Sequence, residues 1–288
     1  MATIRNPLEW GTDQLRHAAS YVASSGRSVS GTASSISGHG PSVQRIDVQD
    51  LKSVLTKGMA DFRASRSDVF FLCVIYPVIG LILARFAFGY NMLPLLFPAT
   101  SGFALLGPLA AVGLYEMSRQ REQGIDARWS DALGLIRSPS FGAVLVLGLV
   151  LLVIFLVWLG IAYAIYVMTL GPTPPVSASA FLRDVFATGA GWTMIIVGIG
   201  IGFLFALLVL AISAVSFPML LDKDVGLGVA IATSIRVFAD NPKAIAIWGL
   251  IVACGLAIGT IPLFLGLIFV MPILGHSTWH LYRKTVAW

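Results

Sequence analysis

The stretch FGAVLVLGLVLLVIFLVWLGIAYAIYVM (residues 141–168) decides the fold class, because it contains no charged side chain. A helix needs about 20 apolar residues to cross the hydrocarbon core of a bilayer. A helix that is apolar on every face also has no side to turn towards water. The stretch therefore predicts a transmembrane helix. Further apolar blocks on both sides of it predict a chain built from repeated spans.

The composition agrees with a membrane protein. Apolar residues make up 57% of the chain and charged residues 11%, against about 25% charged residues in a soluble domain. The net charge of +5 could reflect nucleic acid, anionic lipid or membrane topology. No basic helix or aromatic platform suggests nucleic-acid binding. We therefore expect the lipid bilayer, and no nucleic acid, as a partner.

The chain divides into three predicted parts. Residues 1–45 end in a region rich in Ser and Gly, which predicts a flexible cytoplasmic tail. Residues 46–66 carry apolar side chains at helical spacing and predict an amphipathic cytoplasmic helix. Residues 67–288 predict a six-helix transmembrane domain, which makes the fold class an all-α integral membrane protein. The predicted spans are residues 69–90, 95–117, 141–168, 192–221, 244–259 and 261–282.

Two charged elbows join these spans and resemble each other. Each elbow, residues 115–140 and 221–243, predicts a short interfacial amphipathic helix with a proline, Pro139 or Pro242, just before the next span. The two prolines are 103 positions apart. This spacing suggests a weak internal repeat of spans two and three in spans four and five, and coincidence is the alternative.

The positive charges predict the orientation. With six spans and both termini inside, seventeen of the nineteen lysines and arginines fall on the inner side, and only Arg85 and Arg183 fall outside. Cytoplasmic loops carry an excess of positive charge. The sequence therefore predicts a multi-pass membrane protein with both termini in the cytoplasm.

Two ionisable residues fall within or at the ends of spans, where such groups often mark function. Arg85 either extends its long side chain to the headgroups or binds a polar partner inside the bundle. Glu116 either lies in the interface beside Arg119 or forms a proton or cation site. We treat Arg85 and Glu116 as the candidate intramembrane polar residues.

Two histidines near the end of the chain are candidate metal ligands. His276 and His280 are four residues apart, so on a helix they lie on one face. They could hold a metal ion or haem if other groups joined them. The alternative is a pair of polar residues at headgroup level beside Trp279 and Tyr282, an interfacial aromatic pair. No other pattern suggests a cofactor, and we expect none.

Small residues predict close helix contacts, and no motif predicts catalysis. Gly198 with Gly202, and Gly255 with Gly259, have the four-residue spacing that lets helices approach each other. The sequence contains no HExxH zinc motif, no nucleophile elbow and no phosphate-binding loop. We therefore predict no catalytic residues and no enzymatic activity.

Two segments resemble a known family. DLKSVLTKGMADFRASRSDVFF (residues 50–71) and PILGHSTWHLYRK (residues 272–284) resemble the opening and closing motifs of a bacterial domain-of-unknown-function family of multi-pass integral membrane proteins. The resemblance covers residues 48–284 and implies a location in the bacterial inner membrane. Some relatives are labelled as cytochrome c oxidase subunits, which implies a respiratory association. Four histidines cannot supply the six ligands of a catalytic oxidase subunit, so the resemblance implies an accessory or assembly component.

Two functions follow as hypotheses. The first is a non-enzymatic accessory or assembly partner of a larger membrane protein complex, or a self-associating protein, and the glycine-rich faces favour it. The second is a carrier or channel for a small apolar or weakly polar solute. The apparent duplication and the interruptions by proline and glycine favour the second.

Overall fold

The computed structural model describes residues 40–64, 74, 77–82, 85, 92–125 and 140–288. Most of the predicted tail, residues 1–39, and most of the predicted first span lie outside the described residues, as does the helix predicted in the first elbow. The elements in chain order are β1 Ser42–Val43, α1 Val48–Ala64, α2 Leu93–Phe103, a 3₁₀ turn Ala104–Leu106, α3 Gly107–Ala110, α4 Val112–Glu122, α5 Phe141–Thr169, α6 Ala178–Ala187, α7 Gly189–Ser213, α8 Ser216–Asp222, α9 Leu227–Asp240, α10 Pro242–Thr260, α11 Leu267–Thr285 and β2 Val286–Ala287.

Four helices in the described part of the chain are long and apolar enough to cross a membrane. They are Leu93–Glu122 (α2 to α4), Phe141–Thr169 (α5), Gly189–Asp222 (α7 with α8) and Pro242–Thr260 (α10). The prediction of an all-α integral membrane protein is thus confirmed. The predicted sixth span begins later than expected, as α11, and is not among these four.

The helix Leu93–Glu122 is interrupted in its middle by the 3₁₀ turn Ala104–Leu106. Pro108 follows at the start of α3, and Pro98 lies inside α2. A proline has no backbone N–H and its ring clashes with the preceding turn, so a straight α-helix cannot continue through both positions. The Trp158 indole of α5 donates a hydrogen bond to the Pro98 carbonyl at 3.0 Å, which fixes the bent helix against α5.

Helix α1 lies antiparallel to α11 over most of its length. Lys284, at the end of α11, forms an ion pair of 2.8 Å with Asp50 in the first turn of α1. At the other end of α1, the ring of Phe62 packs edge-on against that of Phe269, with 6.4 Å between the centroids. The amphipathic helix predicted near the start of the chain therefore buries its apolar face mainly against the last helix.

A short pairing joins the two ends of the described chain. The strands Ser42–Val43 and Val286–Ala287 are antiparallel. Next to them, the Asn241 side chain accepts a hydrogen bond from the Ile46 amide at 2.7 Å and donates one to the Gln44 carbonyl at 3.2 Å. Both ends therefore lie on the same side of the bundle, which we call the inner side.

Helices α10 and α11 form a hairpin. The chain breaks between Thr260 and Leu267, where the sequence predicts the division of its last apolar block. Leu263 and Phe264 adopt positive φ values of 52° and 65°, a conformation that side-chain-bearing residues seldom adopt. We call residues 261–266 the hairpin tip.

Substitution of Gly58 tests the contact between α1 and α11. A methyl group at this position would lie 2.7 Å from the Ser277 amide nitrogen and 2.8 Å from its Cα. Because backbone cannot move aside as a flexible side chain does, we expect Gly58→Ala to lower the free energy of unfolding by about 2 kcal/mol. Thermal unfolding in detergent measures the change. Gly228→Ala in α9 is the matched control, because a methyl group there meets open space. An equal loss in both variants would contradict close packing at Gly58.

Candidate functional site

Five polar side chains meet on the inner side, between α1, α4 and α11. We call Asp61, Ser118, Arg121, His276 and His280 the Asp61 cluster. Asp61 and His276 are buried, at 7% and 1% exposure. Burying an ionisable group is costly unless it is paired, so this cluster is the part of the described structure most in need of a chemical explanation.

Asp61 is held by three donors from two helices. Its Oδ2 accepts hydrogen bonds from Ser118 Oγ at 2.7 Å and from His280 Nε2 at 2.8 Å. Its Oδ1 accepts one from Arg121 Nη1 at 3.0 Å. Burial by itself would raise the pKa of the Asp61 carboxyl, but the hydrogen bonds from His280 and Ser118 outweigh it and hold the pKa below the ordinary value of 3.8. The carboxylate is therefore ionised at neutral pH.

Ser118 connects Asp61 to His276. The Asp61 carboxylate can only accept, so the Ser118 hydroxyl donates to it and accepts in turn from His276 Nδ1, at 2.8 Å. In a hydrolytic triad the histidine stands between the serine and the carboxylate and removes the serine proton. Here the serine stands in the middle and is 1% exposed. The hydroxyl positions the imidazole and is not arranged for attack on a substrate.

The structure brings the two candidate metal ligands, His276 and His280, into the same cluster. Each imidazole uses one nitrogen in a hydrogen bond, to Ser118 and Asp61 respectively. His276 Nε2 is buried and has no hydrogen-bond partner. Among the described residues, no three His, Cys, Asp or Glu side chains are grouped so that they could hold a metal ion. A metal bound through the engaged nitrogens would have to displace the hydrogen bonds to Asp61 and Ser118.

Two further carboxylates bind the end of α11. Glu122, the last residue of α4, accepts from the Trp279 indole at 3.0 Å and from Arg283 Nε at 3.1 Å. Asp222, the last residue of α8, accepts from the Tyr282 hydroxyl at 2.8 Å and lies 3.5 Å from Arg283 Nη1. The arginine thus bridges the inner ends of two spans.

The other candidate polar residues lie apart from the Asp61 cluster. Glu116 accepts hydrogen bonds from Arg119 at 2.8 and 2.7 Å and from Gln120 at 3.0 Å, all within α4. This is the local pair that one of the two interpretations of Glu116 predicts. Arg85 has helical backbone conformation, and its side chain is exposed.

The candidate packing glycines occupy different environments. A methyl group at Gly202 would lie 3.0 Å from the Trp158 ring of α5. Gly255 and Gly259 face α11, where the corresponding distances are 3.2 and 2.7 Å to side-chain atoms. Gly198 has no such neighbour within 4 Å. Three of the four glycines thus lie at contacts within the chain.

The membrane-facing part of the described helices contains a small cavity. A cavity of about 30 Å³ lies between α2, α3, α10 and α11. Its two threonines, Thr100 and Thr260, donate their hydroxyl protons to carbonyls of their own helices. A larger cleft of about 580 Å³ is open and lies between α1 and α10. The small cavity holds no more than a few water molecules.

Sequence reasoning missed most of the Asp61 cluster. Ser118 is 57 positions from Asp61 and 158 positions from His276, and no local motif joins them. One signal was present: Asp61 lies three residues after Gly58 on an otherwise amphipathic helix. A small residue and a carboxylate on neighbouring turns are consistent with a polar partner helix packed at close range.

Residues 96–222 match a family model described as "Predicted integral membrane protein (DUF2189)". The match extends from α2 to α8 and so covers three of the four candidate spans. It supports the resemblance to a domain-of-unknown-function membrane family, although the two motifs that suggested the resemblance lie outside the matched residues. The family description contains no reference to cytochrome c oxidase. Comparisons with curated proteins and with solved structures found no match.

Substitution of Asp61 tests whether the cluster holds the helices together. We expect Asp61→Asn to lower the free energy of unfolding by about 2 kcal/mol, because hydrogen bonds to a charged group contribute about 1.5–3 kcal/mol. Thermal unfolding of the purified protein in detergent gives the value. Asp240→Asn, at an exposed carboxylate on α9, makes the same chemical change as a control. If Asp61→Asn left the free energy of unfolding unchanged, the cluster would not contribute to stability.

Acid should remove the contribution of Asp61. Because the folded-state pKa of Asp61 is lowered below 3.8, its stabilisation is complete above that pH and is lost as pH falls through the folded-state value. We therefore expect the stability difference between wild type and Asp61→Asn to be constant at neutral pH and to shrink below pH 3.8. Chemical unfolding at a series of pH values measures it. A difference that grows with acid would contradict an ionised Asp61.

Proposed function

We propose that this protein is a non-enzymatic accessory or assembly partner of a larger membrane complex. The observation that carries the proposal is the exposure of α7, since only 6% of the most apolar window in the span Gly189–Asp222 is buried, whereas α8 at its inner end is buried. Because few described residues cover α7, its surface faces lipid or another protein.

Glycines on α7 favour a protein neighbour over lipid. Gly198 and Gly200 have open space where a side chain would begin. Glycine in a helix interior costs about 1 kcal/mol relative to alanine, and no close contact with a described residue offsets that cost at these two positions. Small residues on a transmembrane helix allow another helix to approach closely. The two glycines are two residues apart and so lie on different sides of α7, and a partner helix on either side would provide the missing contact.

The polar groups support a structural role better than a transport role. The acidic residues at the inner ends of the spans, such as Glu116, Glu122 and Asp222, bind side chains of this same chain. A carrier needs polar groups directed at its substrate near the middle of the membrane. We infer that the inner polar layer fixes the bundle as a platform.

The paired carboxylates also support the proposed internal duplication. Glu122 and Asp222 end the two spans that the repeat relates to each other, and they are 100 positions apart. Both bind Arg283, and each binds one further ring of α11, Trp279 or Tyr282. Two related spans would place equivalent carboxylates symmetrically around a helix between them. Such a repeat also suits a carrier, so it does not decide the function.

We further propose that the protein lies in the bacterial inner membrane with both termini in the cytoplasm. The pairing of Ser42–Val43 with Val286–Ala287 supports an even number of crossings between them. The predicted six spans satisfy this condition. The excess of lysine and arginine on one side supports the orientation.

A carrier for a small weakly polar solute is the second candidate. The broken helix Leu93–Glu122 and the small cavity beside it support this function, because transporter sites are formed by discontinuous helices. Against it, the hydroxyls of Thr100 and Thr260 are already engaged. A solute site would require another conformation of the protein, in which this cavity is wider.

Affinity purification in mild detergent tests the proposal. We expect the tagged protein to recover a membrane protein in constant ratio, as judged by mass spectrometry. Gly198→Leu combined with Gly200→Leu should reduce recovery at least tenfold, because the larger side chains keep the partner helix at a distance. Gly160→Leu in α5, also at a glycine with open space, is the matched control and should retain the partner.

The outcomes separate the hypotheses. Respiratory subunits with a haem absorption spectrum in the same sample would support the specific respiratory association. A partner of another kind would support the accessory role without it. A protein that elutes without a partner, with and without the substitutions, would overturn the accessory role and favour the carrier, which solute flux into vesicles would then test.

A further inference from the structure

We propose that the α10–α11 hairpin does not cross the membrane but enters it from the inner side, so that its tip lies among lipid acyl chains near the bilayer midplane. The proposed partner of this surface is the hydrocarbon of the lipid. Three independent observations lead to this depth: the neighbours of α11, the neighbours of the tip, and the chemistry of the tip itself.

Helix α1 limits how much of α11 can be in hydrocarbon. Gly58 lies against Ser277, and the exposed Lys52 and Lys57 of α1 lie alongside the part of α11 that follows. Charged side chains are costly in hydrocarbon, so α11 has left the core by Ser277 at the latest. Phe62 packs against Phe269 and is followed by the exposed Arg63, so α1 continues along α11 towards the tip. From Leu267 to Ser277 a helix rises about 15 Å, so this argument places the tip no deeper than the midplane of the roughly 30 Å core.

The neighbours of the tip give the same depth. Phe264 and Thr100 line the same cavity. Thr100 lies about 10 Å inward from Leu93, the outer end of α2. On α10, Gly249 lies against Leu210 of α7. The end of α10 at Thr260 is 11 residues outward from Gly249, and 11 residues outward from Leu210 on α7 is residue 199. The end of α10 is therefore level with residue 199, and α7 continues outward from there to Gly189 for about 15 Å more. The tip therefore lies well inside the outer ends of the neighbouring spans.

The tip has the side chains of a lipid-facing surface. Its sequence IPLFLG contains no polar group, and Ile261, Leu263 and Leu265 are 81%, 69% and 54% exposed. The loop LGPTPPVS (residues 170–177), which follows α5, contains Thr and Ser and is followed by Arg183 and Asp184 in α6. An aqueous turn would expose three large aliphatic side chains in succession, whereas in hydrocarbon this exposure is favourable.

Most of the tip backbone is hydrogen-bonded internally. The amides of Ile261, Leu263, Phe264 and Leu265 each donate to a carbonyl between Ala257 and Pro262, and Pro262 has no N–H. Gly266 is the tip residue whose amide donates none of the described backbone hydrogen bonds. Irregular backbone at membrane depth must be satisfied by protein, because hydrocarbon offers no partner. The positive φ values of Leu263 and Phe264 accompany this tight internal bonding.

The loop after α5 behaves differently. Among the described backbone hydrogen bonds, none is donated by the amides of Gly171, Thr173 and Val176. Three such amides in one short loop favour contact with water, because hydrocarbon offers them no partner. The two turns between long helices therefore belong to different environments: residues 170–177 to the aqueous outer side and the tip to the membrane interior.

A hairpin that returns to the inner side contributes no crossing, so the topology differs from the six spans that the sequence predicts. The remaining described spans are Leu93–Glu122, Phe141–Thr169 and Gly189–Asp222, and the sequence predicts one further span, residues 69–90, before them. Four crossings keep both described ends on the inner side, as β1 and β2 require.

Cysteine accessibility in native membranes tests the depth. Leu263→Cys and Val176→Cys are compared in the full chain with Cys73 and Cys254 replaced by serine. Val176 is 98% exposed and is the matched control in the outer loop. A membrane-impermeant maleimide added to intact cells should label Val176→Cys and react at least tenfold more slowly with Leu263→Cys. After denaturation in detergent both should label equally.

A nitroxide at the same positions distinguishes lipid from protein burial. At Leu263→Cys, collisions with oxygen should exceed those with a water-soluble nickel chelate, whereas at Val176→Cys the chelate should dominate. Labelling of Leu263→Cys from outside at the rate of Val176→Cys would overturn the proposal. A tip position inaccessible to both oxygen and chelate would also overturn it, because that result indicates burial in protein. Leu265→Cys replaces Leu263→Cys if the latter fails to fold.

Discussion

The packing of α1 against α11 is the contact on which the inner half of the molecule depends, and Asp61 is its centre. A buried carboxylate is stable only with donors around it. The donors come from α4, through Ser118 and Arg121, and from α11, through His280. One charge therefore fixes the relative positions of three helices that are far apart in the sequence. The close approach at Gly58 brings the carboxylate to these donors.

The inner and outer halves of the bundle therefore differ in how deeply their side chains are buried. On the inner side, residues such as Leu147, Leu220 and Leu281 are fully or almost fully buried, and polar groups bind each other, as in a soluble core. Towards the outer side, α5 and α7 expose large aliphatic side chains along much of their length. In water this would be an aggregation hazard, but in a bilayer it is the ordinary outer surface of a span.

Local composition predicts the helices well but not their depth. The span over residues 141–168 and the division near Gly259 follow from apolar length and proline, which are local properties. The Asp61 cluster depends on contacts over 57 to 219 positions, and no single window of sequence contains them. The depth of α11 is also nonlocal, because the lysines that limit it belong to α1, more than 200 positions earlier.

The same constraint accounts for the exposure of α7. If α10 and α11 end near the midplane, they can cover only the inner part of α7, and Gly249 against Leu210 is the kind of contact that results. Gly198 and Gly200 are level with the end of α10, and the part of α7 outward of them lacks the neighbours that a full-length hairpin would supply. A hairpin that stops early thus leaves α7 uncovered in the outer leaflet from these glycines to Gly189. That uncovered surface can accept a helix from another protein, which connects the depth of the hairpin to the proposed accessory role.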